Sequence, residues 1–126
     1  MLSVIRDSNL LNVETKILWE KQEGLIEVYN LPFRTFETLR SRERQIECFK
    51  NSISKVEHSN HETGDAWDVA VWKRGDWSWE DIFWFQRLGI LTLALIRDIK
   101  WGADWNGKNF WFDEQFRDYG HYERII

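Results

Sequence analysis

The sequence predicts an α+β fold: a small antiparallel sheet with helices packed on one side of it. Three observations carry this reading. Apolar residues recur at helical spacing near the N-terminus, residues 66–72 read as a short strand with large and small side chains on opposite faces, and the most apolar stretch, Ile82–Ile96, reads as a buried helix. That stretch is interrupted by Gln86, Arg87, Gly89 and Thr92 and falls short of the roughly 20 apolar residues a bilayer requires.

In chain order, a first helix is expected over residues 12–23, with Val13, Ile17 and Leu18 on its apolar side and Gly24 ending it. Leu25–Tyr29 alternates as a strand, Pro32 interrupts, and Phe33–Leu39 forms a second extended piece. Ser41 is the N-cap of a helix that turns Ile46 and Phe49 to the core and packs Cys48 as a small hydrophobe. Residues 51–65 form a polar loop, 66–72 a strand and 76–80 another loop; Asp81 caps the apolar helix, which ends near Asp98. The remainder, 100–126, reads as extended segments joined by turns.

Composition narrows the function. The net charge of −4 argues against nucleic acid as the main partner, because phosphate binding needs a basic face. One cysteine excludes an internal disulfide framework, and the N-terminus lacks the basic and apolar regions of a secretory signal, so synthesis in the cytoplasm is expected. At 126 residues, 43% hydrophobic, the chain is expected to form one domain. Nine Trp and eight Phe exceed the ordinary, and while most fill the core, one or two are expected to line a groove.

The chemistry concentrates in two clusters. In residues 59–68, Gly64 supplies a turn that brings His61 back toward the following strand, where alternation sets Asp68 between Ala66 and Ala70 on one face and Trp67, Val69 and Val71 on the other. A carboxylate flanked by alanines leaves room for a cation. In the second cluster, Asp118 and His121 stand three apart, and Gly120 permits the kink that turns both toward one point. His61, Asp68 and His121 make an N/O/N ligand set suited to zinc with a position left for water, and Asp118 is the adjacent non-ligand acid/base. Taken singly, His61 reads as a surface-loop histidine, Asp68 as a strand-end aspartate and His121 as a packed histidine; only the combination makes them ligands. His58, Glu62, Asp65 and Glu123 are expected to be solvated.

These residues resemble a known family, the zinc D-alanyl-D-alanine carboxypeptidases and L-alanyl-D-glutamate endopeptidases of peptidoglycan. Ser59, His61, Gly64, Ala66 and Asp68 match every fixed position of its motif Ser-x-His-x-x-Gly-x-Ala-x-Asp, and Asp118 and His121 match the second, Asp/Glu-x-x-His. Trp101-Gly102-Ala103-Asp104-Trp105 matches the Trp-Gly-Gly-Asp-Trp of the phage-endolysin branch with one substitution, and Gly120 stands where the family usually has Pro. Glu37 to Ser41 with Gln45 resembles the stretch that carries the family's functional arginine, which here falls on Arg40.

The resemblance implies a hedgehog/DD-peptidase-type fold and a zinc metallopeptidase. It implies one Zn2+ per chain on His61, Asp68 and His121, with Asp118 as general base, Arg40 stabilising the oxyanion and Ser59 hydrogen-bonding the substrate or a ligand. An endolysin-type L-alanyl-D-glutamate endopeptidase is the first choice and a D-alanyl-D-alanine carboxypeptidase the second, with a non-catalytic zinc-binding wall module as the alternative of another class. The implied partner is the peptidoglycan stem peptide, with no nucleic acid and no membrane span. A monomer is expected, a single catalytic domain over 1–126 without a separate wall-binding domain, reaching the wall through holin-type release.

Overall fold

The computed structural model describes residues 3–54, 56, 58–103 and 118–126. Three helices, α1 (Val13–Val28), α2 (Arg42–Lys50) and α3 (Ile82–Leu95), accompany strands β1 (Phe33–Glu37), β2 (Ala66–Lys73), β3 (Asp76–Ser78), β4 (Ile99–Trp101) and β5 (His121–Arg124). The strands form one antiparallel sheet in the order β1-β2-β5-β4, and β3 pairs with β2 off that path. The α+β architecture is as the sequence predicts. Asp104 and Trp105 of the Trp-Gly-Ala-Asp-Trp segment, and the extended segments expected between 104 and 117, lie outside the described residues.

Register explains how the sheet serves two purposes. Trp67 stands opposite Tyr122 across β2 and β5, and the next pair is Asp68 opposite His121. Successive side chains leave a strand on opposite faces, so the aromatic pair and the polar pair part company. Trp67 and Tyr122 enter the core with Leu18, Ile26, Leu88 and Trp101. Each such ring, fully buried, contributes about 1.5–3 kcal/mol. Gln22 enters the core as a paired polar group: from α1 it accepts from Trp67 Nε1 at 2.8 Å and donates to Thr92 of α3 at 3.0 Å, which ties both helices to the sheet.

Several local expectations are corrected. Gly24 does not stop α1, and Leu25–Val28 is helical rather than extended, because Leu18, Gln22 and Ile26 continue one buried stripe through it. Residues 76–78 are a strand, since Lys73 and Asp76 close a hairpin over Arg74 and Gly75, both left-handed. Helix α3 ends at Leu95, and Asp81 stands at its N-cap without a capping hydrogen bond, its carboxylate engaged by Lys73 and Ser78. In α2 the core-facing side is polar, carrying Arg44 and Gln45 beside Cys48, while Phe49 is 41% exposed. Both faces of the middle of β2 are buried, so the alanines Ala66 and Ala70 do not mark an open surface.

Candidate metal centre

Five segments converge on the polar face of the sheet. A β-bulge near the end of β1 sets Glu37 opposite Asp68, and Asp68 in turn stands opposite His121, so three side chains line up across β1, β2 and β5. His61 comes from the 3₁₀ turn Asn60–Thr63, whose N-cap is Ser59. Ser59 Oγ accepts from the His61 backbone N–H at 3.2 Å, and Glu62 returns a bond to the Ser59 N–H at 2.9 Å, a complete capping box. Gly64 ends the turn at φ +75°, where a side chain would also strike the backbone of Asn12. Asp118 and His121 close a turn through His121 N–H to Asp118 C=O at 3.2 Å, and Gly120 C=O accepts from the Val69 N–H at 2.8 Å.

The donor atoms meet at one point. Asp68 Oδ1 lies 3.1 Å from His61 Nε2 and 2.9 Å from His121 Nδ1, and one ligand atom from each of the three residues fits within a 4.8 Å cluster. The outer ring nitrogens are spoken for. His61 Nδ1 donates to Thr38 C=O at 2.7 Å, and His121 Nε2 donates to Glu123 Oε1 at 2.8 Å. A carbonyl and a carboxylate only accept, which assigns a proton to each outer nitrogen; in the neutral ring that an ion requires, the inner nitrogen then carries the lone pair. Atoms each about 2.0–2.1 Å from one ion at near-tetrahedral angles stand about 3.3 Å apart. The residues therefore fit a metal ion bound through two imidazoles and one carboxylate, with its ring ligands oriented by outer acceptors.

Burial and neighbouring charges shift the acids and bases of the site. Burial opposes charge on His121, yet the hydrogen bonds to Asp68 and Glu123 and the charges of Asp68 and Asp118 push it up to about 10. Burial likewise opposes Asp68, and the imidazoles overcome it, holding the carboxyl well below the usual carboxylate range. Asp118 moves the other way: burial and the charge of Asp68 raise it, against His121, His61 and Arg40. Two carboxylates at one site are thus separated in proton affinity.

Arg40 is 6% exposed and braces this row: its Nη2 donates to Glu37 Oε1 at 2.7 Å and reaches Asp68 Oδ2 at 3.4 Å, while its Nη1 donates to Gln45 at 2.8 Å. Arg44 Nε adds a second guanidinium contact to Glu37 at 3.2 Å. A cavity of about 870 Å³ opens over the cluster, lined among others by Arg40, Ser59, Trp79, Asp118 and Tyr119. Every candidate residue, His61, Asp68, His121, Asp118, Arg40 and Ser59, borders it.

Three acids expected to be solvated are not. Glu123 holds His121 and accepts from Asn60 at 2.6 Å, Glu62 completes the cap and pairs with Arg42, and Asp65 is buried against Thr15, Thr63 and Arg124. Glu37 had no place in the sequence reading beyond its position before Arg40. Its only signal is a charged residue at the end of a strand, which occurs everywhere.

The family model for phage L-alanyl-D-glutamate peptidases matches residues 2–125. The chain belongs to this family. It is a peptidase that acts on peptidoglycan stem peptides. The peptidase's fold is similar to that of the L-Ala D-Glu endopeptidase ChiX of Serratia marcescens, with a TM-score of 0.67 at 24% identity over 93% of this chain and 82% of that one. It is also similar to the vancomycin-resistance D,D-dipeptidase VanXYg, solved with a D-Ala-D-Ala phosphinate analogue, with a TM-score of 0.54 at 16% identity over 91% of this chain and 50% of that one. No curated protein matches the sequence. Among the described residues of the peptidase no helix is long and apolar enough to cross a membrane.

Proposed function

We propose that the chain is a zinc-dependent endopeptidase that hydrolyses the bond between L-alanine and D-glutamate in the stem peptide. The observation that carries this is the convergence of His61, Asp68 and His121 under the cavity with both outer ring nitrogens already bonded. Zinc, when bound by these three, acidifies water toward neutral pH and polarises a carbonyl.

The chain's own residues then have defined tasks. Asp118, partly buried and raised in proton affinity, takes the proton of the attacking water and returns it to the leaving amine of D-glutamate. Arg40 fixes Asp68 Oδ2 and places a buried positive charge in the cavity wall, where negative charge develops on the scissile carbonyl. Ser59 sets the turn that aims His61, and its hydroxyl borders the cavity where a substrate amide lies. The enzyme works as a monomer and reaches the wall by holin-type release.

Mass spectrometry of products from purified muropeptides tests this reading. New D-glutamate N-termini support it. Free D-alanine means a carboxypeptidase instead, and intact substrate with zinc bound means a wall-binding module.

A further inference from the structure

The cavity wall beyond the ligands is aromatic on one side. Trp79, just past β3, lines it and is 46% exposed. Phe85 stacks parallel to Trp79 at 6.1 Å, and Phe36 meets it edge-to-face at 4.9 Å. The aromatic row continues along the hairpin, Phe36 to Trp77 at 5.1 Å and Trp77 to Trp72 at 4.9 Å. Those further rings are already covered: Arg6 lies over Phe36 and Trp77 at 5.0 and 5.2 Å, and Arg34 over Trp72 at 4.4 Å. Among the described residues no guanidinium sits over Trp79. Its place is also fixed relative to the chemistry. Trp79 packs on Gly120, where an added methyl would stand 3.2 Å from Trp79 Cζ3, and Gly120 directly precedes His121.

The substrate supplies the complementary argument. In a stem peptide the amine of L-alanine is not free; it is acylated by the lactyl group of N-acetylmuramic acid. A scissile bond between L-alanine and D-glutamate therefore lies one residue and one lactyl unit from a pyranose ring, about 7 Å of extended chain. Whatever binds this bond at His61, Asp68 and His121 must accommodate a sugar at the acyl end of the cavity. A pyranose presents a flat face of C–H groups, and an indole with an open side is the surface that such a face packs on.

We propose that Trp79 is the platform for the N-acetylmuramic acid that carries the stem peptide, so that the enzyme selects wall-attached peptides over free ones. The proposal rests on the reading of the site as an L-alanyl-D-glutamate endopeptidase. It supplies a wall-recognition element within the catalytic unit itself.

The test compares two substrates, N-acetylmuramyl-L-alanyl-γ-D-glutamyl-L-lysine and the same peptide N-acetylated without the sugar, on the wild type, Trp79→Ala and Trp79→Tyr. The wild type is expected to favour the muramyl substrate in kcat/KM by roughly 10-fold, mainly through KM. In Trp79→Ala that ratio collapses toward one, whatever happens to the absolute rates, and Trp79→Tyr retains most of it. Calorimetry with N-acetylmuramyl-L-alanine, which has no scissile bond, should show binding that weakens about 10-fold in Trp79→Ala and persists in Trp79→Tyr. A wild type without preference, or a Trp79→Ala enzyme that keeps the wild-type ratio, overturns the proposal while leaving the endopeptidase reading intact. Should neither substrate be cleaved, that reading fails, and the calorimetry alone decides: equal binding by wild type and Trp79→Ala, or no binding at all, rejects the sugar platform.

Discussion

Glu123 Oε1 accepts from His121 Nε2 at 2.8 Å, and this bond decides which nitrogen of His121 faces the site. A histidine offers two possible ligand atoms, and an acceptor behind one of them selects the other. Glu123 is itself held by Asn60, from the turn that carries His61, so the two imidazoles are oriented by one linked set of bonds. Glu123→Ala should lower zinc affinity about 10–100-fold while the fold persists. Competition against a chelator of known affinity measures this, and a variant with wild-type affinity would mean that packing alone orients the ring.

Gly102 allows β4 to approach the turn of Asp118 and His121. A Cβ there would stand 2.3 Å from the Asp118 carbonyl oxygen and 3.0 Å from His121 Cβ, and Gly102 exchanges backbone bonds with both residues. Gly102→Ala should cost about 1–3 kcal/mol in stability and reduce hydrolysis at temperatures where the variant remains folded. Denaturant midpoints and activity on one preparation report both. Unchanged activity would show that Asp118 and His121 tolerate displacement together.

The grouping of His61, Asp68 and His121 was legible in the sequence because a motif fixes residue type and spacing at once, and the pairing of β2 with β5 sets Asp68 against His121. The surrounding acids were not. Glu37, Glu123 and Asp65 look like surface charges until the partners arrive from distant positions: Arg40 and Arg44 on Glu37, His121 on Glu123, Thr15 and Arg124 on Asp65. The polar inner face of α2 escaped for the same reason, since Arg44 and Gln45 are buried by what they bind and not by their own chemistry. Leu25–Val28 alternates like a strand, but a helical stripe of three buried residues upstream and within it overrode that pattern.

Asp65 gives the fold an acid-sensitive bolt. Burial raises its carboxyl, but hydrogen bonds from Thr63, Arg124 and Thr15 outweigh it and hold the group below the usual value. A carboxyl lowered in the folded state stabilises above its unfolded value, near pH 4, and that contribution is lost as pH falls through the lower folded value. Asp65→Asn should therefore cost about 1–3 kcal/mol at neutral pH and flatten the loss of stability below pH 4. Chemical denaturation at pH 7 and across the acid range checks it. An acid slope equal to that of the wild type would assign the sensitivity to another group.

Asp118→Asn separates base from ligand and from brace. Asn preserves shape and can hold a turn but accepts no proton, so zinc should stay bound while hydrolysis falls by roughly 10²-fold to 10⁴-fold. Zinc lost from this variant would make Asp118 a ligand. Activity kept would make it a support for the turn at Gly120.

The metal content of the purified protein, measured by elemental analysis for the wild type beside His61→Ala and Asp68→Ala, tests the centre most directly. The expected result is about one zinc per wild-type chain. A chelator should remove it without unfolding the protein, because the core of Trp67, Trp101 and Tyr122 lies on the opposite face of the sheet from Asp68 and His121. Both variants should lose most of it. Full zinc occupancy in both variants would place the ligands elsewhere and contradict the centre assigned to His61, Asp68 and His121.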